Sequence, residues 1–153
     1  MTTFSEHNAA ACRASRHTRV QHLITADEAS LSELEMVLAT LPVCSTGRVF
    51  IEIPDESWRV EITAPARMVV TWLDRSVRSG APGTSRGCAT GEALARAVGA
   101  WADEMLCDED DQTRIQLLGG YIGTADIVDH LVALGVDEQA IHTPERYGLS
   151  TRR

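Results

Sequence analysis

The sequence feature that most constrains the fold is a series of short apolar runs separated by helical patterns. Met68-Val69-Val70-Thr71-Trp72-Leu73 is an almost uninterrupted run of apolar and β-branched side chains. Such a run is typical of a strand that is covered on both faces, as in a parallel sheet. Further strands are predicted over residues 20–24, 47–53, 114–118 and 140–143, with a short extra strand over 58–62 and a turn over 25–29.

Three helical patterns lie between these strands. The first carries Leu31, Leu34, Leu38 and Leu41; the second Leu94, Val98, Trp101 and Met105; the third Ile127, Val128, Leu131 and Leu134. Ser30 with Glu33 fits a capping box for the first helix, and Thr124 is the predicted cap of the third. The alternation predicts an α/β fold, with a single open, mostly parallel sheet of about five strands and flanking helices.

One domain is predicted over residues 20–148. Residues 1–19 are predicted to be a disordered N-terminal tail, because they are polar and lack sustained periodicity, and residues 149–153 a second tail. Residues 108–111 are interpreted as a solvated acidic turn.

Charge and hydropathy exclude several classes of protein. The net charge of -8 argues against a nucleic-acid-binding surface, which needs clustered positive charge. No apolar run approaches the roughly 18 residues of a membrane span, and no secretory leader is recognisable, so we expect a cytoplasmic protein. All 14 basic residues are arginines, so a phosphate would meet arginine or backbone N–H groups. No spacing of histidine, cysteine or serine points to a metal site or a nucleophile.

Candidate binding residues follow from the fold, because ligands of open α/β sheets bind at the carboxyl ends of the strands. The residues expected to meet there are Thr25, Asp27 and Glu28 after the first strand, Arg75 after the third, and Gly119, Gly120, Gly123 and Thr124 after the fourth.

Each of these signals has two interpretations. Leu118 to Gly123 fits the last two glycines of G-x-G-x-x-G, which indicates either a pyrophosphate loop or only a tight strand-to-helix turn. Arg75 either contacts a ligand phosphate or is a surface arginine, and Asp27 and Glu28 either bind a ribose or cap a helix. The glycine-rich loop over 76–91, which contains Arg78 and Arg86, is either a functional lid or an insertion.

Four stretches of the chain carry a resemblance to a known family. They are residues 22–29, residues 47–55, the run Val70-Thr71-Trp72-Leu73-Asp74-Arg75 with Gly80-Ala81-Pro82, and residues 118–134. In this order they resemble the C-terminal, nicotinamide-nucleotide-binding domain of siderophore-interacting proteins, which are flavin-dependent ferric-siderophore reductases. The resemblance implies a Rossmann-like sheet of the ferredoxin-reductase type.

Several residues depart from the family pattern. Gly120 stands where the family has a glutamate, Ala125 and Val128 stand where it has arginines, Asp74 replaces a histidine, and residues 145–148 replace Gly-Tyr-Trp-Arg. Family members also carry a flavin-binding barrel of roughly a hundred residues, for which we expect no room in this chain.

The resemblance and its departures together lead to three hypotheses. The first is a stand-alone domain that binds NADH or NADPH weakly, carries no FAD, does not turn over alone and assists a separate flavoprotein in ferric-siderophore reduction. Asp74 makes NADH the better candidate, because its charge would repel an adenosine 2′-phosphate. The second is a degenerate domain that serves protein interaction or regulation, and the third is an enzyme of another class. The sequence makes no prediction of the oligomeric state.

Overall fold

The computed structural model describes residues 20–106 and 113–149 of the chain. The strands are β1 (Gln21–Asp27), β2 (Thr46–Ile53), β3 (Arg67–Asp74), β4 (Arg114–Leu117) and β5 (Ile141–His142). The helices are α1 (Leu31–Thr40), α2 (Glu92–Met105) and α3 (Tyr121–Ala133), and short 3-10 turns lie in several of the segments between strands and helices. The predicted order of strands and helices is confirmed.

The strands form one open, five-stranded sheet in the order β3-β2-β1-β4-β5. All four neighbouring pairs are parallel, which confirms the predicted fold class. The chain moves outward from β1 to β2 and β3, and then returns to place β4 on the other side of β1. The carboxyl ends of β1 and β4 therefore flank the point where the strand order reverses, which is the usual ligand position in such sheets.

Two apolar clusters hold the sheet between its helices. One face packs against α1 through residues such as Ile24, Leu34 and Ile51. The other face packs against α2 and α3 through residues such as Leu23, Leu94 and Leu117. Alternate side chains of a strand point to opposite faces, so Thr25 and Asp27 share the α2 and α3 face with Leu23. Burial of each of these leucine or isoleucine side chains stabilises the folded state by about 1.5–3 kcal/mol.

The predicted extra strand over residues 58–62 is wrong. Glu56–Trp58 is a 3-10 turn held by the carboxylate of Asp55, which accepts a hydrogen bond from Ser57 N at 2.9 Å. The residues that follow cross the α1 face, where Ile62 and Ala64 pack on the apolar cluster. Trp58 and Val60 of the predicted strand remain exposed, so Ile62 is the residue of that segment that packs on the cluster.

Both predicted helix caps differ from the structure. Strand β1 continues to Asp27, and the Ser30 hydroxyl accepts from Asp27 N at 3.0 Å instead of capping α1. Helix α3 begins at Tyr121 after Gly120, so Thr124 lies in its first turn and donates to Gly119 O at 3.2 Å. In both cases the hydroxyl group forms a hydrogen bond that stabilises the turn between the strand and the helix.

The domain extends one residue beyond its predicted end, because Leu149 is buried in the α2 and α3 cluster. The predicted tail over 1–19, residues 150–153 of the predicted tail over 149–153, and the acidic turn over 108–111 lie outside the described residues. Within the described ranges, no helix has the length and apolar character needed to cross a bilayer.

Candidate functional site

Five of the predicted site residues gather at the carboxyl ends of β1 and β4. A Cβ atom on Gly120 would lie 3.3 Å from Asp27 Oδ2. One on Gly119 would lie 3.9 Å from Thr124 Oγ1 and 4.0 Å from Thr25 Oγ1. Gly120 thus lies directly beside the Asp27 carboxylate, whereas Gly119 packs against Leu94, whose Cδ2 would lie 3.0 Å from the same Cβ atom. The topology predicts that these residues meet.

Hydrogen bonds fix the loop between β4 and α3 against β1. Leu118 N donates to Thr25 O at 2.9 Å, which extends the sheet pairing by one step. The carbonyl of Gly119 accepts from Thr124 Oγ1 at 3.2 Å and from Tyr147 Oη at 3.0 Å. Thr25 Oγ1 is buried and finds no hydrogen-bond partner within the part of the chain that the structure describes. The loop is thus held in place, with one polar group at its base unsatisfied.

Tyr147 is a site residue that the sequence analysis did not select. Besides its hydrogen bond to Gly119, its ring packs edge-on against Tyr121, with 5.5 Å between the ring centroids. It belongs to the segment that replaces the Gly-Tyr-Trp-Arg ending of the family, and the aromatic residue in that segment was the available signal.

Gly123 serves helix packing. A Cβ atom on Gly123 would lie 2.9 Å from the Cα of Gly91, the residue before α2. Gly91 itself has a φ of 86°, in the left-handed region that favours glycine. The amino ends of α2 and α3 therefore touch through two glycines, a close approach that side chains at either position would prevent.

Arg75 and Glu28 lie in a second group, centred on an ion-pair network. Arg75 Nη2 lies 2.7 Å from Glu28 Oε1, and Nη1 lies 3.2 Å from Glu28 Oε2. Arg75 Nη1 also lies 2.8 Å from Glu52 Oε1. The guanidinium therefore sits between two carboxylates of the protein itself.

Glu52, another residue missed by the sequence analysis, joins this network to α2. Its side chain is 1% exposed, and its carboxylate accepts from Gly91 N at 2.7 Å and Leu94 N at 2.8 Å. A carboxylate is favourable at a helix amino end, where backbone N–H groups are unpaired. Glu52 thus fills the anion position at the start of α2. A charged residue inside the apolar run of β2 was the signal for this role.

The ion-pair network lowers the pKa of its carboxylate Glu28 and raises the pKa of Arg75. Burial opposes the charge on Glu28, but hydrogen bonds from Arg75 and the backbone outweigh it and lower the pKa of Glu28. The hydrogen bond to Glu28 is the main cause that raises the pKa of Arg75. Both groups are therefore fully charged at neutral pH.

Gly91 lies between the two groups of site residues. Its N–H donates to Glu52 in the network, and its backbone packs against Gly123 beside the glycine loop. The amino end of α2 thus contacts both groups of residues. The binding of a nucleotide by Arg75, Glu28, Gly123 and the other selected residues stays a prediction.

A cleft of about 410 Å³ lies on the α1 side of the sheet, at the carboxyl ends of β4 and β5. Its lining includes Val37, Gln116, Leu118 and residues 142–146. Its size is in the range of small-molecule sites. None of the eight residues selected from the sequence lines it, but Leu118 directly precedes the glycine loop.

The loop over 76–91 is folded back on itself. Ser79 pairs with Gly87 in an antiparallel bridge, and Gly80 N donates to Arg86 O at 2.8 Å. Arg96 on α2 donates to the carbonyl oxygens of Ser79 and Gly80. The loop is thus anchored to α2.

Comparisons with known proteins agree with this geometry. The family model "Siderophore-interacting protein" matches residues 20–118. A siderophore-interacting protein from Aeromonas hydrophila is 16% identical, with a TM-score of 0.58 over 81% of this chain and 44% of that one. A siderophore utilization protein from T. fusca is 24% identical, with a TM-score of 0.59 over 82% of this chain and 44% of that one. No curated protein matches.

The two kinds of comparison support different statements. At these identities the two solved structures show a shared fold, and this chain spans less than half the length of either. The family model covers well over half of this chain, including β1 to β4 and α1 and α2. The chain therefore belongs to the siderophore-interacting protein family.

Proposed function

We propose that this domain binds a nicotinamide nucleotide at the carboxyl ends of β1 and β4 and assists a separate flavoprotein in reducing ferric siderophores. The observation that carries the proposal is the meeting of Thr25, Asp27, Gly119 and Gly120 where the strand order reverses. Open α/β sheets bind nucleotides at this position. The family to which the chain belongs supports the choice of nucleotide and acceptor.

The residues at this crevice suit the parts of such a nucleotide. Helix α3 begins directly after Gly120, so the first N–H groups of the helix are available to a pyrophosphate. A side chain at Gly120 would come within 3.3 Å of Asp27 Oδ2 and so narrow the space that a ligand needs. Asp27 Oδ2 faces this space and offers an acceptor for a ribose hydroxyl.

The chemistry of such a complex is divided between two proteins. A bound nicotinamide supplies a hydride, and the acceptor flavin belongs to the partner. The residues of this chain hold and orient the nucleotide. We expect weak binding, because Gly120 stands where the family resemblance places a glutamate.

The test is a calorimetric titration of the purified chain with NADH and NADPH, comparing wild type with Asp27→Asn. Asp27 Oδ1 accepts from Ala29 N at 3.0 Å, and asparagine retains this acceptor while placing an NH2 group where Oδ2 faces the crevice. We expect Asp27→Asn to weaken binding about tenfold, by loss of one hydrogen bond to a charged acceptor.

Asp137→Asn is the matched control. Asp137 Oδ1 accepts from Gln139 N at 3.0 Å in the same kind of turn, but before β5 and thus at the opposite edge of the sheet. We expect it to bind like wild type. Absence of binding to either nucleotide at millimolar concentration would discard the proposal and favour a role in protein interaction.

A further inference from the structure

The guanidinium of Arg75 is occupied by two carboxylates of the domain itself. The two terminal nitrogens of Arg75 form a fork and donate to both carboxylate oxygens of Glu28, Nη1 to Oε2 at 3.2 Å and Nη2 to Oε1 at 2.7 Å. Nη1 also donates to Glu52. One positive charge thus faces two negative charges. A phosphate can reach this fork only if one of the two carboxylates leaves it.

The two carboxylates differ in their ability to leave. Glu52 is 1% exposed and accepts two backbone hydrogen bonds at the amino end of α2, so its departure would leave Gly91 N and Leu94 N unpaired in the interior. Glu28 is 23% exposed and lies in the turn after β1, where its carboxylate can rotate into solvent. Glu28 is therefore the exchangeable partner and Glu52 the fixed one.

We infer that Glu28 is a built-in competitor that occupies the phosphate-binding fork of Arg75 until a nucleotide displaces it. The geometry of the pair supports this inference, because carboxylates and phosphates bind the arginine fork in the same bidentate manner. Glu52 holds Arg75 in position during the exchange, since it binds Nη1 from the interior. The inference rests on the proposed function, and it identifies Glu28 as the residue that sets the strength of phosphate binding.

The competition has a consequence for selectivity. A ligand group must carry enough negative charge to replace the Glu28 carboxylate on Arg75, so neutral hydroxyl groups cannot displace it. The site then discriminates between phosphorylated nucleotides and their unphosphorylated nucleosides more strongly than a free arginine would.

The test measures binding of pyrophosphate and of NADH to the full chain by calorimetry, in wild type, Glu28→Gln and Glu28→Ala. Both variants leave the ion pair between Arg75 and Glu52 intact. We expect both to bind pyrophosphate and NADH about tenfold more tightly than wild type, because the competing charge is gone. Glu35→Gln, which removes an exposed carboxylate from α1, is the matched control and should bind like wild type.

A second arm checks that the gain acts through Arg75. In the double variant Glu28→Gln/Arg75→Gln the gain in affinity should disappear, with circular dichroism used to confirm that the protein is folded. If this protein does not fold, the agreement between Glu28→Gln and Glu28→Ala carries the test, since only removal of the charge is common to them.

The possible outcomes separate this inference from the proposed function. Equal affinities of wild type and the Glu28 variants, or no binding to any of them, would overturn the competition. Nucleotide binding that is unchanged by the variants would overturn it while leaving the proposed function standing. Tighter pyrophosphate binding by the variants without binding of NADH would support the competition and reject the nicotinamide nucleotide as the ligand.

Discussion

The substitution Glu52→Gln tests whether one buried carboxylate holds the carboxyl edge of the sheet together. Glu52 lies on β2, but its oxygens accept hydrogen bonds from Arg75 after β3 and from Gly91 and Leu94 at the start of α2. Glutamine has nearly the same shape, so packing is preserved. The substitution changes the charge and converts one acceptor oxygen into a donor NH2 group.

The expected cost follows from the distribution of these hydrogen bonds. Oε1 accepts from Gly91 N and Arg75, and Oε2 accepts from Leu94 N, so either orientation of the glutamine amide brings its NH2 group against a donor. Loss of hydrogen bonds to a charged acceptor costs about 1.5–3 kcal/mol, and an unpaired buried N–H about 1–3 kcal/mol. We expect a total loss of about 3–5 kcal/mol, as for other broken buried ion pairs.

Equilibrium unfolding in urea at neutral pH measures this loss, with far-UV circular dichroism as the signal. A domain of this kind has a free energy of unfolding of about 5–15 kcal/mol, so the transition of Glu52→Gln should move to much lower urea. Glu61→Gln, at an exposed position before β3, is the control and should unfold like wild type. A loss below about 1 kcal/mol for Glu52→Gln would refute the role assigned to the buried carboxylate.

Three further predictions concern the packing, the pH dependence and the colour of the protein. Gly123→Ala should lower the free energy of unfolding by about 1–3 kcal/mol through its clash with Gly91, whereas Gly87→Ala, at an open position, should change it little. Burial and then the charge of Arg114 lower the pKa of His22, so its neutral form stabilises the fold above the unfolded pKa of about 6.5 and this stability is lost as the pH falls. The midpoint of thermal unfolding should therefore fall less between neutral and weakly acidic pH in His22→Gln than in wild type. The purified chain should show no visible flavin absorption, because the family resemblance assigns the flavin to a separate barrel; a yellow protein that releases flavin only on denaturation would contradict this.

Local sequence signals were sufficient for the order of the elements but not for their ends. The leucine spacing of α1 reflects the burial of Leu34 and Leu38. The apolar run of β3 instead lies on an edge strand in which Met68 and Leu73 are the buried residues, so the expectation that both faces are covered is wrong. The end of β1 was missed because Thr25 and Asp27 are polar, although both pair with β2 and are buried. The cap at Ser30 was ambiguous, since its hydroxyl can serve a helix or the preceding turn, and the tertiary position of Asp27 decided the outcome.

The candidate site was predictable to the extent that it follows from topology. Parallel strands bring their carboxyl ends to one edge, so the gathering of Thr25, Asp27 and the glycine loop could be expected before the structure was known. The partners of Arg75 could not be predicted, because Glu28 and Glu52 lie 47 and 23 residues away from it along the chain. No local pattern relates residues at such distances.

The charges around Arg75 also bear on the choice between NADH and NADPH. The adenosine 2′-phosphate of NADPH needs uncompensated positive charge, but Arg75 is compensated by Glu28 and held by Glu52. Asp74, beside it, accepts from Ser76 N at 2.8 Å and keeps a further negative charge at the same edge. Displacement of Glu28 would leave Arg75 paired with Glu52, so the network would still offer no uncompensated positive charge to an additional dianion. On the proposed function we therefore expect NADH to bind more tightly than NADPH.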